Sequence, residues 1–214
     1  MEVKTSTSNS TSLPSNKTSL DFKPFSKIYL WHNLNIVSKD LFVDKNPSLE
    51  TSWRSIILLG RNVASYKFAL AKSLLEIDTN NSEIELEKLA IPFAKNICEH
   101  LDKNEKQITS SSSKFLDACK RFNNSQINED ELKNITVRLG FNNVIDAFHI
   151  VSREETTRFF TDNRTNNRSI ILTDDFYKLK EKDIYKNLKN EAESRWNLWA
   201  VSYTHLTLPT IYSV

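Results

Sequence analysis

The sequence predicts a mainly α, multi-helical domain with one small β-hairpin near its C-terminal end. Three observations carry that expectation. Only 2 of the 214 residues are glycine, too few for the turns of an all-β fold. Apolar side chains recur at helical spacing over long stretches. Only over residues 158–172 do short β-prone runs flank a polar connection, the pattern of a hairpin. With 39% hydrophobic and 26% charged residues the composition is that of an ordinary soluble globular chain, long enough for one sizeable core.

Residues 1–24 are expected to form a Ser/Thr/Asn-rich tail, because Lys4 to Leu20 offer almost nothing to bury against the entropy of ordering them. Order is expected near Phe25, where Ile28, Tyr29, Leu30, Trp31, Leu34 and Ile36 cluster, as strand or helix. Residues 25–155 should form the helical domain. Its clearest element is one long helix from about Ser48 to Ile77, in which Trp53, Ile56, Ile57, Gly60, Val63, Ala64, Ala71, Leu74 and Leu75 share a stripe. Gly60 and Ala64, one turn apart, would let a neighbouring helix approach closely.

A capping box, Ser82 with Glu85, is expected to open the next helix, whose apolar face runs from Leu86 to Leu101. Pro92 should kink or restart it, since proline lacks the helical donor. Ser110 to Ser113 offer N-caps for a short helix burying Phe115, Leu116, Cys119 and Phe122. Asn128 with Glu131 should cap another, closed by Gly140 as a left-handed terminator. Asn142 or Asn143 begins a further turn bearing Val144, Ile145 and Phe148. Residues 156–200 should hold the hairpin, a short helix capped by Thr173, and a last helix from Asp183 that aligns Ile184, Leu188, Ala192, Trp196 and Trp199.

The chemistry-bearing residues exclude more than they propose. The 29 basic and 27 acidic residues leave a net charge of +2, so nothing global demands nucleic acid and any DNA contact needs a local patch. Cys98 and Cys119 lack the paired spacing of a zinc site and read as buried thiols. His32, His100 and His149 have no ligand partner at a metal-site spacing. A phosphate loop is out of reach with so few glycines, and no nucleophile elbow is present. No catalytic residue, metal ligand or cofactor is therefore assigned within this chain. No apolar run approaches the ~20 residues of a membrane span, and the N-terminus lacks the basic-then-apolar layout of a secretion signal, so a cytoplasmic protein without a membrane partner is expected.

DNA is the candidate partner. Its candidate contacts are basic and hydroxyl groups near helix starts, where backbone donors add to the charge: Arg54, Arg61 and Lys67, then Ser111, Lys114, Lys120 and Arg121. Ordinary solubility charges are the competing explanation.

The last segment, Val201 to Val214, contains no acid, lysine or arginine. Val201 to Leu206 back-translates as GTC TCT TAT ACA CAT CTG, which is similar to a transposon-end sequencing adapter of the kind left on metagenomic reads. That likeness implies a natural reading frame cut near Ala200, and leaves Tyr203, His205 and Pro209 without functional weight.

Four segments, Ser52 to Leu75, Ser110 to Asn123, Leu139 to His149 and Arg158 to Asp162, resemble the N-terminal region of a bacterial HNH-endonuclease family, over most of Trp53 to Trp199. The resemblance implies a helical, non-catalytic front part of a larger hydrolase that cuts phosphodiesters. Its histidines, asparagine and divalent metal would belong to a following module. This part would position DNA or restrain the nuclease, with residues 110–121 and 141–149 as the surfaces to test first. A non-enzymatic helical interaction or regulatory module is the alternative.

Overall fold

In the computed structural model, helix α1 (Leu49–Leu59) begins where the Ser48 hydroxyl accepts the Thr51 N–H at 3.2 Å, the usual N-cap arrangement. The structure describes residues 47–60, 64–78, 80–109, 112–181 and 185–205, all within one unit, Asp44–Val214. The expected tail, the cluster around Phe25 and His32 lie outside these residues, as do Arg61, Val63, Ser110, Ser111, Asp183 and Ile184.

The single long helix expected from Ser48 to Ile77 is two helices. Gly60 is extended (φ −60°, ψ 139°) and ends α1, and α2 (Tyr66–Glu76) starts anew. Gly60 does not serve as a helix-crossing notch. Its missing side chain makes room for the Ile56 carbonyl, 2.3 Å from where a Cβ would sit, and for the Lys67 ammonium, 2.7 Å from the same point. Ala64 instead bridges Ile108 as an isolated strand pair. Helix α2 is buried almost all round, including Phe68, Leu70, Leu74 and Leu75, as befits a central helix.

The capping box at Ser82 and Glu85 is not used. Residues Glu83–Glu85 form strand β1, and helix α3 (Leu86–Lys103) follows directly without a side-chain cap. Tertiary pairing overrides the local pattern: Ile84 is buried opposite Ile170, and the Leu86 N–H donates to the Arg168 carbonyl at 2.9 Å. Helix α3 continues through Pro92 rather than restarting.

Helix α4 (Lys114–Asn123) is capped by Ser113, whose hydroxyl accepts the Leu116 N–H at 3.3 Å, and α5 (Glu129–Ile135) by Asn128, whose carbonyl oxygen accepts the Glu131 N–H at 2.8 Å. Both caps match the sequence expectation. A π-helical turn, Thr136–Gly140, prolongs α5. Gly140 has no positive φ, so it is not the left-handed terminator expected. It is small because a Cβ there would lie 3.1 Å from Phe93 and 3.3 Å from Phe115. Helix α6 (Val144–Ala147) follows Asn143, which is left-handed at φ 67°.

The expected hairpin is present, as β4 (Phe160–Asn163) and β5 (Ser169–Leu172) joined through the short helix α7 (Arg164–Asn167). Strand β1 joins it, giving the antiparallel order β1-β5-β4. The stretches 25–155 and 156–200 thus contribute to one sheet and one core. A second, unexpected hairpin pairs β2 (Ile150–Val151) with β3 (Glu154–Glu155). Its two turn residues, Ser152 (φ 52°) and Arg153 (φ 72°), are both left-handed.

Helix α8 (Asp174–Glu181) follows Thr173, and α9 (Tyr185–His205) runs on through the first residues of the segment read as adapter. Leu188, Ala192, Trp196 and Trp199 are buried, as their spacing foretold. Trp53 packs edge-on against Phe148 and Phe159 and beside Phe176, at 5.8, 5.1 and 6.0 Å between centroids. A second aromatic cluster joins Tyr66, Phe93, Phe115 and Phe141. These contacts tie α1 to the hairpins and α8, and α2 and α3 to α4 and the π turn.

Candidate functional site

Helices α2, α3 and α9 bring one polar cluster into the core. The Glu193 carboxylate accepts from Lys72 Nζ at 2.6 Å and faces His100 Nε2 at 3.0 Å, with Lys103 Nζ 3.8 Å away. The His100 ring lies flat on Trp196, over which Lys72 Nζ sits 5.7 Å from the ring centroid. The Trp196 indole N–H donates to Gln107 Oε1 at 2.9 Å, and Gln107 in turn donates to the carbonyls of His100 and Asn104. A helix end, an indole and an ion pair are thereby satisfied by one network, as buried polar groups require.

The charges in this cluster follow from burial and neighbours. Burial works against the Glu193 carboxylate, yet the hydrogen bonds from Lys72 and His100 outweigh it and hold the group down at about 2. Burial lowers His100, and the Glu193 carboxylate only partly restores it. Its Nδ1 is buried without a partner. The neutral ring, with its proton on Nε2 toward Glu193, is the form that fits.

Two further titratable groups are turned inward. Lys67, 4% exposed, donates to the Ile150 carbonyl at 3.3 Å, and burial lowers its ammonium to about 8. His149 Nε2 accepts the Phe159 N–H at 3.0 Å; burial, assisted by Arg158, lowers it to about 4. Cys98 and Cys119 are both buried and free, and the Cys119 thiol is pushed up by its contact with Cys98 and by burial. Among the described residues no group of three or more His, Cys, Asp or Glu is placed to hold a metal ion, and no helix is long and apolar enough to cross a membrane.

Most of the candidate DNA contacts among the described residues are engaged within the protein. Arg54 forms a two-pronged pair with Glu191, at 2.7 and 2.9 Å. Lys67 points into the protein. Lys120 pairs with Glu105 at 2.9 Å and Arg121 with Glu131 at 3.1 Å, both at the surface. Lys114, exposed in the first turn of α4, has no hydrogen-bond or ion-pair partner among the described residues. Arg61 and Ser111 lie outside those residues.

The Lys72, His100, Gln107, Glu193 and Trp196 cluster was not legible beforehand. Lys72 and Glu193 are 121 positions apart, and neither residue departs from the charge expected on a solvated helix. A groove of about 510 Å³ between α4 and α5, lined by Arg121, Glu131, Asn134, Ile135 and Arg138, was likewise missed, because Arg138 stands alone in the sequence.

Compared with family models, with curated proteins and with solved structures, the chain finds no match.

Proposed function

We propose that this chain is a non-catalytic helical module that holds a protein partner. The nuclease portion implied by the resemblance of its segments to HNH endonucleases is the first candidate, and the divalent metal would belong to that portion. One observation carries the reading: the inward ionisable groups are each committed to a structural partner. Lys72 and His100 lie on Glu193, Lys67 on the Ile150 carbonyl, and His149 on the Phe159 N–H. A general base must reach a substrate proton, and a nucleophile needs an adjacent base in an accessible cleft; none of these groups has that freedom. Arg54, Lys120 and Arg121 end on carboxylates, which favours restraint of a partner domain over a grip on phosphates.

Positioning of DNA is the second reading, and Lys114 at the capped start of α4 is the observation in its favour. Titrating the purified chain against duplex DNA at two salt concentrations separates the two, because phosphate contacts release counterions and weaken steeply with salt. The module reading expects no salt-steep binding and no cleavage with any divalent metal. Tight low-salt binding that collapses as salt rises, or hydrolysis abolished by His100→Ala, would overturn it.

A further inference from the structure

The groove between α4 and α5 has walls of both signs. From α5 and its π turn, Glu131, Asn134, Ile135 and Arg138 recur at intervals of three, one and three, so they follow one helical stripe, and α4 supplies Arg121 across from them. Arg121 gives one N–H to Glu131, Nη2 to Oε1 at 3.1 Å, in a pair about half exposed at each end. Arg138 is exposed and has no hydrogen-bond or ion-pair partner among the described residues. A free guanidinium beside a half-engaged one leaves an uncompensated positive charge next to the half-buried Ile135 side chain.

We propose that this groove seats a carboxylate side chain from an acidic segment of the partner protein, between Arg138 and Arg121. The inference rests on the module reading above and names the chemistry of what is held. A planar carboxylate matches the guanidinium fork with two parallel hydrogen bonds, and Ile135 gives its methylene stem an apolar floor. A phosphodiester backbone fits less well, for two reasons on the same surface. Lys95, Lys120 and Lys133 already lie on Glu129, Glu105 and Asp130, so these lysines are not free to follow a phosphate chain. The carboxylate of Glu131 would also repel each successive phosphate, whereas a single side-chain carboxylate can sit to one side of it.

The test follows the arginine Nε–Hε signals of the full chain by NMR while an oligoglutamate peptide is added, and separately a DNA duplex. The peptide is expected to shift the Arg138 and Arg121 signals. In Arg138→Gln its binding should weaken roughly two- to fivefold, the worth of one exposed ion pair. Arg138 is a surface residue, and an unchanged circular dichroism spectrum of the variant certifies the fold. A peptide that leaves both signals in place, or binds the variant as well as the parent, overturns the groove assignment alone and leaves the module reading to its salt titration. Shifts produced by the duplex and not by the peptide overturn both.

Discussion

The imidazole of His100 and the indole of Trp196 lie face to face, with ring centroids 3.5 Å apart and planes inclined by 3°. No water fits between rings so close. Glu193 faces one ring nitrogen at 3.0 Å, and the other is buried without a partner. A proton added there would meet neither solvent nor an acceptor, and the cost of that charge sets the direction of the protein's response to acid.

Stability should therefore fall as the medium is acidified below the ordinary histidine range. His100 and His149 both titrate lower in the folded chain than their usual 6.5, His149 at about 4. Between those values the unfolded chain binds protons that the folded one refuses, so stability is full above 6.5 and is lost on the way down to 4. The depression at His149 alone corresponds to roughly 3 kcal/mol. Glu193, held at about 2, adds a second loss as its unfolded-state range near 4.5 is crossed. Urea denaturation at about pH 7 and about pH 5 measures the first slope, and His149→Gln should flatten it. A slope that survives in that variant and in His100→Gln counts against the assignment.

Glu193→Gln should cost about 2–3 kcal/mol, because it strands the Lys72 ammonium, whose side chain is 8% exposed, while the carboxylate itself is partly solvated. Adding Lys72→Met should recover much of the loss, since it removes the stranded charge and puts an apolar chain of similar length in its place. Chemical denaturation of the single and double variants reads the coupling directly. Strict additivity would contradict it.

The two glycines should differ in their tolerance of a methyl group. At Gly60 the added Cβ meets a backbone carbonyl at 2.3 Å, which cannot move without unwinding α1; at Gly140 it meets side chains at 3.0 to 3.3 Å. Gly60→Ala is expected to destabilise by about 2–3 kcal/mol and Gly140→Ala by about 1 kcal/mol. Equal losses in denaturation midpoints would show that the contact at Gly60 yields.

The turn of the second hairpin places two side-chain-bearing residues, Ser152 and Arg153, in the left-handed region. Two-residue hairpins with that geometry favour Asn-Gly, since only glycine adopts it freely. Ser152→Asn combined with Arg153→Gly should stabilise the protein by about 1 kcal/mol, seen as a higher melting temperature. No rise would mean that the strain is relieved elsewhere.

Features that depend on a few neighbouring residues were legible in the sequence: the Ser113 and Asn128 caps, the β4–β5 hairpin, and the buried stripe Leu188, Ala192, Trp196 and Trp199. Where distant partners decide, the reading failed. Ser82 and Glu85 present a sound helix start, but Ile84 gains more from pairing with Ile170. Gly60 reads as a notch in a long stripe, yet the buried Lys67 head and the Ile56 carbonyl fill its space. The polar cluster on Glu193 could not be foreseen, because nothing in the spacing of Lys72, His100 and Glu193 says that three separate helices will point them together. Arg138 illustrates the same limit at the surface: its interest lies in what stands opposite, and Arg121 is on another helix.

Strand β1 cannot find its place until β5 exists. The Glu83 carboxylate and the Ser169 hydroxyl that help join them are 86 positions apart, and β5 is the middle strand of the three. On a ribosome, α2, α3 and α4 can collapse on one another as soon as they emerge, through contacts close in sequence that form quickly. Residues 83–85 must then wait as an unpaired ribbon until Ser169–Leu172 have been synthesised. The sheet is therefore a late step of folding, and the Ile84 edge is where a stalled or shortened chain would offer itself to a neighbour.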